Sequence, residues 1–189
     1  MVIMILGAML LAKIKGNKIS LLFATWIFYP TLILECVLFF FQLNAFLGNY
    51  YFVQFASIYK NVYLLSYLIP ILALKLYKPA MIGSASILTG TLLNNFVIAQ
   101  NGGKMPVFPS LSYLTGYFKP ESFQFVNDIH ILGSASTHWK ILTDYIDVGY
   151  SILSPGDLLV HFFSFLILYE TIKALNARQN STILSLQKN

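Results

Sequence analysis

Apolar residues fall along this chain in long blocks, at 1–12, 19–41, 61–77, 81–99 and 158–175. Each block reads as a helix, because a segment surrounded by lipid must satisfy its backbone N–H and C=O groups internally. Four of the five are long enough to cross a bilayer. The first, at about 1.5 Å per residue, covers only about 18 Å of a roughly 30 Å hydrocarbon core. It is therefore expected either to tilt as a half-span or to thin the bilayer locally. The pattern predicts an all-α fold: an integral membrane helical bundle of about five spans, folded as a single membrane domain over 1–189.

Composition sharpens that picture. Of 189 residues, 57% are hydrophobic and 10% charged, with a mean hydropathy of +0.70, whereas about a quarter of a soluble domain is charged. The net charge of +5 comes from twelve basic residues scattered in ones and twos. That spacing suits topology signals and excludes a nucleic-acid partner. Cys36 is the single cysteine and has no partner within the chain for a disulfide.

Basic residues also orient the bundle. Lys13, Lys15 and Lys18 follow the first block rather than precede it, the reverse of a signal peptide, so the block is expected to stay attached. With five crossings, these lysines fall on one side with Lys75, Lys78, Lys173, Arg178 and Lys188. The positive-inside rule makes that side cytoplasmic, which puts the amino terminus outside and the carboxyl terminus in the cytoplasm of a cell-membrane protein. Asn180-Ser181-Thr182 then reads as a chance glycosylation sequon.

The outer side carries a long connection, 100–157, too long for an idle loop. Pro120-Glu121 resembles a helix opening, and Trp139, Leu142 and Ile146 would share one helical face, with His138, Lys140, Asp144 and Asp147 elsewhere. Such a segment is expected to lie along the headgroups, as a binding surface or as a lid packed on the bundle.

Polar residues inside the blocks supply the candidate chemistry. Glu35 lies sixteen residues beyond Ile19, about 24 Å along a continuous helix. Asn94 and Asn95 on the fourth block and His161 on the last reach a similar depth in the outer leaflet. Intramembrane polar groups face bundle interiors or water-filled cavities, so these residues predict one polar cavity open to the outside. Ser86, Gly90 and Asn94 recur every four residues and form a small-residue face for close helix approach. Ser154-Pro155-Gly156-Asp157 has the form of a capping box, in which Asp157 serves the helix start. Asp157 and His161 also share a face at i, i+4 and together suit proton sharing. Asn101-Gly102-Gly103 predicts a sharp turn, and Lys104 after it is placed to neutralise Glu35 or Asp157 or to attract an anionic group.

The hexamer Asn101-Gly102-Gly103-Lys104-Met105-Pro106, together with Ser154-Pro155-Gly156-Asp157 opening the last helix, resembles a family of small uncharacterised bacterial multi-pass membrane proteins. That family carries an Asn-Gly-Gly-Arg/Lys-Met-Pro motif and a C-terminal Ser-x-Gly-Asp helix. The likeness covers most of the chain, with Leu142-Thr143-Asp144-Tyr145-Ile146 matching the family's aspartate before the final helix, and it implies no activity. A looser likeness to lipoprotein signal peptidases would make Asp144 and Asp157 a catalytic dyad, one carboxyl protonated and one ionised; that family's Asn-x-x-Asp and Asn-x-Ala-Asp motifs are absent. His130, His138 and His161 lack metal-site spacing, so no metal and no cofactor are expected.

The resulting expectation is binding of a membrane lipid headgroup, a peptide or a membrane-protein partner. Asn101, Gly102, Gly103, Lys104, Glu35, Asn94, His161 and Asp157 are the binding residues. Aspartyl hydrolysis and small-solute transport are the alternatives.

Overall fold

The computed structural model describes residues 2–49, 51–119 and 129–186. They are predominantly helical. Three helices are long and apolar enough to cross a membrane: Trp26–Phe46, Tyr77–Gln100 and Pro155–Ser181. Their apolar surface points outward, with Met81, Ile82, Leu88 and Leu92 on the second of them at least 60% exposed. So much contiguous apolar surface belongs against lipid rather than water. The chain is therefore membrane-associated. It forms two compact units, 1–36 with 60–85 and 161–189, and 37–59 with 86–160.

In the first unit, helix α1 (Val2–Ile14) has 13 residues, too few for an untilted span. Its Ala8 and Ala12 lie one turn apart and are fully buried with Leu22, Phe28, Leu168 and Ile172. Small side chains let the helices approach closely. Beyond α1, Asn176 clamps the chain, accepting from the Lys18 N–H at 2.8 Å and donating to the Lys18 carbonyl at 3.2 Å.

The second apolar block does not form one helix from Ile19. A short helix α2 (Ser20–Phe23) ends at Ala24, Thr25 is extended, and a 3-10 turn (Trp26–Phe28) leads into α3 (Tyr29–Phe46). Thr25 Oγ1 accepts from the Ile27 N–H, and Pro30 falls in the first turn of α3, where its missing N–H costs nothing. The helix long and apolar enough to cross a membrane is thus Trp26–Phe46, not one continuous from Ile19. Counted from Trp26, Glu35 is about 14 Å along, near the middle of that helix.

The third block is likewise broken, into α4 (Ala56–Ser66) and α5 (Leu68–Leu74). Pro70 has no N–H to offer the Ser66 carbonyl, and its ring crowds that turn, so the helix yields at Tyr67. Helix α5 ends with Lys75 in the left-handed region at φ 57°, a position that favours glycine. Lys75→Gly is expected to raise stability by about 1 kcal/mol, read as a higher midpoint in thermal unfolding in detergent.

The second unit receives part of α6 (Tyr77–Gln100) and the start of the last helix, α8 (Pro155–Leu186). Between them lie short elements that the apolar pattern did not predict. Strand β1 (Met105–Val107) pairs in parallel with β2 (His130–Leu132), Met105 opposite His130 and Val107 opposite Leu132. On its other edge Val107 bridges Asp144, with Asp144 N–H donating to the Pro106 carbonyl and Phe108 N–H to the Asp144 carbonyl. Pro106 offers only a carbonyl on that edge, and it is used. Helix α7 (Leu111–Thr115) and a hairpin of β3 (Ile146–Asp147) and β4 (Ile152–Leu153) complete the connection.

The expected helical face of Trp139, Leu142 and Ile146 is not formed. Trp139 is left-handed at φ 56°, 140–142 make a single 3-10 turn and Ile146 belongs to β3. Pairing of 144 with β1 and of 146–147 with β4 takes the backbone hydrogen bonds a helix would need. The helix opening expected at Pro120-Glu121 lies outside the described residues.

Candidate functional site

Two polar constellations lie in the second unit. At the start of α8, Asp157 N–H donates to Ser154 Oγ at 2.9 Å and Ser154 N–H donates to Asp157 Oδ2 at 3.0 Å, the reciprocal capping box its sequence predicted. Asn94 of α6 closes the ring. Its Nδ2 donates to Asp157 Oδ1 at 3.0 Å, and its Oδ1 accepts from Ser154 Oγ at 2.8 Å. One turn before Asn94, Gly90 lies against the Gly156 backbone, and Ser86 donates to the Leu159 carbonyl at 2.8 Å. The four-residue recurrence of Ser86, Gly90 and Asn94 is therefore a helix-packing face. Asn94 and Asp157, both expected in the binding set, come together here.

The second constellation surrounds β1. Asn101 ends α6 by donating to the Val97 carbonyl, and it clamps the connection by accepting from His138 N–H at 2.9 Å and donating to the His138 carbonyl at 3.1 Å. Gly102 and Gly103 have φ of 66° and 81°, and Gly103 N–H returns to the Ile98 carbonyl, the bond pattern of a left-handed helix C-terminus. Lys104 follows, half-buried, and leads into the buried Met105 and Pro106 of β1. Flanking β1, His130 Nε2 approaches Asp144 Oδ2 at 3.4 Å, the carboxylate side chain 5% exposed and the imidazole 36%. Asp144 and Asp157, the candidate dyad, thus have different neighbours: an imidazole for one, Ser154 and Asn94 for the other.

Asp147 has a structural task. Its Oδ2 accepts from Ser110 N–H, Ser112 N–H and Ser112 Oγ at 2.7 to 2.8 Å, and its Oδ1 from Gly149 N–H at 2.8 Å. Burial raises its pKa, but these hydrogen bonds outweigh burial and hold it below its ordinary value.

Glu35 and His161 belong to the first unit. Glu35 is 9% exposed, and neither carboxylate oxygen has a hydrogen-bond partner among the described residues. His161 is half-buried on α8. Sequence reading missed the environment of Glu35: Tyr63 and Tyr67, whose hydroxyls share a hydrogen bond at 2.8 Å, were read only as apolar positions. Their i, i+4 spacing was the available signal. His130 was weighed only as a metal ligand, because its pairing with Asp144 depends on strands the apolar pattern did not reveal. Among the described residues no group of three or more His, Cys, Asp or Glu side chains is placed to hold a metal ion.

A family model, DUF5317, described as a family of unknown function, matches residues 19–169. No curated protein and no solved structure matches the chain.

Proposed function

The chain belongs to the DUF5317 family, whose function is unknown, and from its geometry we propose that it is a multi-pass membrane protein that binds a lipid headgroup through the connection between α6 and α8. One observation carries this reading: the connection exposes large apolar side chains in the same compact unit as basic and polar ones. Leu114 is 85% exposed, Ile141 71% and Trp139 52%, while Lys104, Lys119, Lys140 and the His130–Asp144 pair belong to the same unit. Apolar side chains that enter the acyl boundary next to cations that meet phosphate are the chemistry of an interfacial segment.

Charge partition supports the orientation expected from sequence. Among the described residues, Lys13, Lys15, Lys18, Lys60, Lys75, Lys78, Lys173 and Arg178 belong to the first unit against only Glu35 and Glu170, whereas in the second Lys104, Lys119 and Lys140 are balanced by Asp144, Asp147 and Asp157. On this reading the lipid site faces outward, the side opposite the basic residues that the positive-inside rule assigns to the cytoplasm.

Native mass spectrometry of the protein purified in mild detergent tests the proposal. A phospholipid is expected to stay bound to the parent protein and to be lost from an Ile141→Ser, Trp139→Ser double variant that still elutes as a folded species. Retention of a peptide or a protein subunit in place of lipid would transfer the binding reading to that partner. Aspartyl hydrolysis is the runner-up, because Asp144 is buried against an imidazole. It requires Asp144→Asn and Asp157→Asn each to abolish cleavage of a lipidated precursor while insertion is unchanged.

A further inference from the structure

The middle of the first unit holds polar atoms that neither packing nor the lipid-binding proposal uses. Glu35 of α3 is buried in its membrane-crossing helix, with both carboxylate oxygens lacking hydrogen bonds among the described residues, and Ser164 of α8, 2% exposed, has a hydroxyl in the same condition. They are neighbours of a common pair. The Tyr63 and Tyr67 hydroxyls each lie within electrostatic reach of both the Glu35 carboxyl and the Ser164 hydroxyl. The surroundings are held rigidly: Tyr63 and Tyr67 meet edge to face at 5.4 Å, and Phe163 braces Tyr67 at 5.5 Å. Thr31 bonds Ser66 at 3.0 Å, and Ser66 donates to the Tyr63 carbonyl. The helix break forced by Pro70 occurs at Tyr67, so the tyrosines stand where α4 gives way to α5.

A carboxylate in hydrocarbon must be neutralised by a proton or a cation. A proton neutralises the charge but does not draw the neighbouring oxygens together. A metal cation neutralises it and can also take lone pairs from the Ser164, Tyr63 and Tyr67 hydroxyls, which keep their O–H protons for other acceptors. Every atom in the set is oxygen, with no nitrogen or sulfur, which selects a hard cation. One carboxylate carries one negative charge, so only a monovalent ion leaves the site neutral. We propose that Glu35, Ser164, Tyr63 and Tyr67 form an intramembrane binding site for a small monovalent metal cation such as Na+. The site is independent of the headgroup surface, and each can fail without the other.

Covalent labelling reads it directly. Dicyclohexylcarbodiimide is an apolar electrophile. A protonated carboxyl in an apolar setting gives its proton to the carbodiimide nitrogen, adds through oxygen to the central carbon and rearranges to a stable N-acylurea of fixed added mass. The intact full-length protein can therefore be labelled at constant pH and the modified residue located by peptide mapping. Without Na+, Glu35 is expected to be labelled, and the label is expected to be absent from Glu35→Gln. Na+ at about ten times its dissociation constant should slow labelling by about tenfold, while choline chloride at the same ionic strength should leave it unchanged. Ser164→Ala keeps the carboxyl and is expected to label like the parent while needing more Na+ for protection, which removes any dependence on how well Glu35→Gln folds. Labelling that Na+ and choline affect equally would overturn the proposal, as would a Glu35 that resists the reagent even without Na+. Lipid retention measured on the same samples keeps the two proposals separate.

Discussion

Gly156→Ala is expected to destabilise the protein by about 3 kcal/mol, the largest single effect among the packing positions. A methyl group there would sit 2.6 Å from the Gly90 carbonyl oxygen and 2.7 Å from Asn94 Cγ. The obstacle is partly backbone, so no rotamer change relieves it. Gly90→Ala meets the reciprocal problem, with Leu159 Cβ at 3.0 Å and the Gly156 carbonyl carbon at 3.2 Å. Either substitution separates the helices and pulls Asn94 away from Ser154 and Asp157, so packing and hydrogen bonds fail together. The double variant is then expected to lose much less than the sum of the two, since the first change has already opened the contact. Thermal unfolding in detergent of the parent, both single variants and the double variant measures this. Full additivity would show that the close approach is not shared.

Asp147→Ala is expected to cost about 2 kcal/mol, because it removes the acceptor that caps α7 and leaves the Ser110 and Ser112 N–H groups to water. The pH dependence has a fixed sign. Hydrogen bonds hold the folded pKa below the ordinary 3.8, so the carboxylate's stabilisation is fully present above that value. It is lost as pH falls from 3.8 through the lowered folded pKa. Asp147→Asn should therefore flatten the acid limb of a stability curve in that window and leave the slope at neutral pH unchanged. Proteolysis within 110–119, followed across the acid range, distinguishes loss of this cap from global acid unfolding.

The hydrophobic blocks marked where the apolar helices lie but not where they start or break, and the hexamer after α6 was legible for a local reason. Gly102 and Gly103 take backbone angles that glycine adopts without strain, and Asn101 terminates the helix next to them. The capping box at Ser154 and Asp157 was legible for the same reason, since each partner lies within three residues of the other. Glu35 was counted along one helix from Ile19, but an apolar run does not reveal that Thr25 breaks that helix and Pro30 restarts it. The connection was the least legible part. Apolar periodicity assigned Trp139, Leu142 and Ile146 to one helix, whereas Asp144 and Ile146 find their partners 37 positions earlier at Val107 and 7 positions later at Leu153.

By itself the sequence determined a membrane-associated helical protein, the turn that ends α6 and the capping box that opens α8, because hydrophobic length, capping and glycine turns act between residues close in the chain. Only the tertiary structure decided which of those polar residues are used up. Asn94 and Asp157 lie 63 positions apart and satisfy each other, while Glu35 keeps two oxygens without hydrogen bonds among the described residues. That outcome depends on which side chains distant segments bring within about 3 Å, a distance no local pattern encodes.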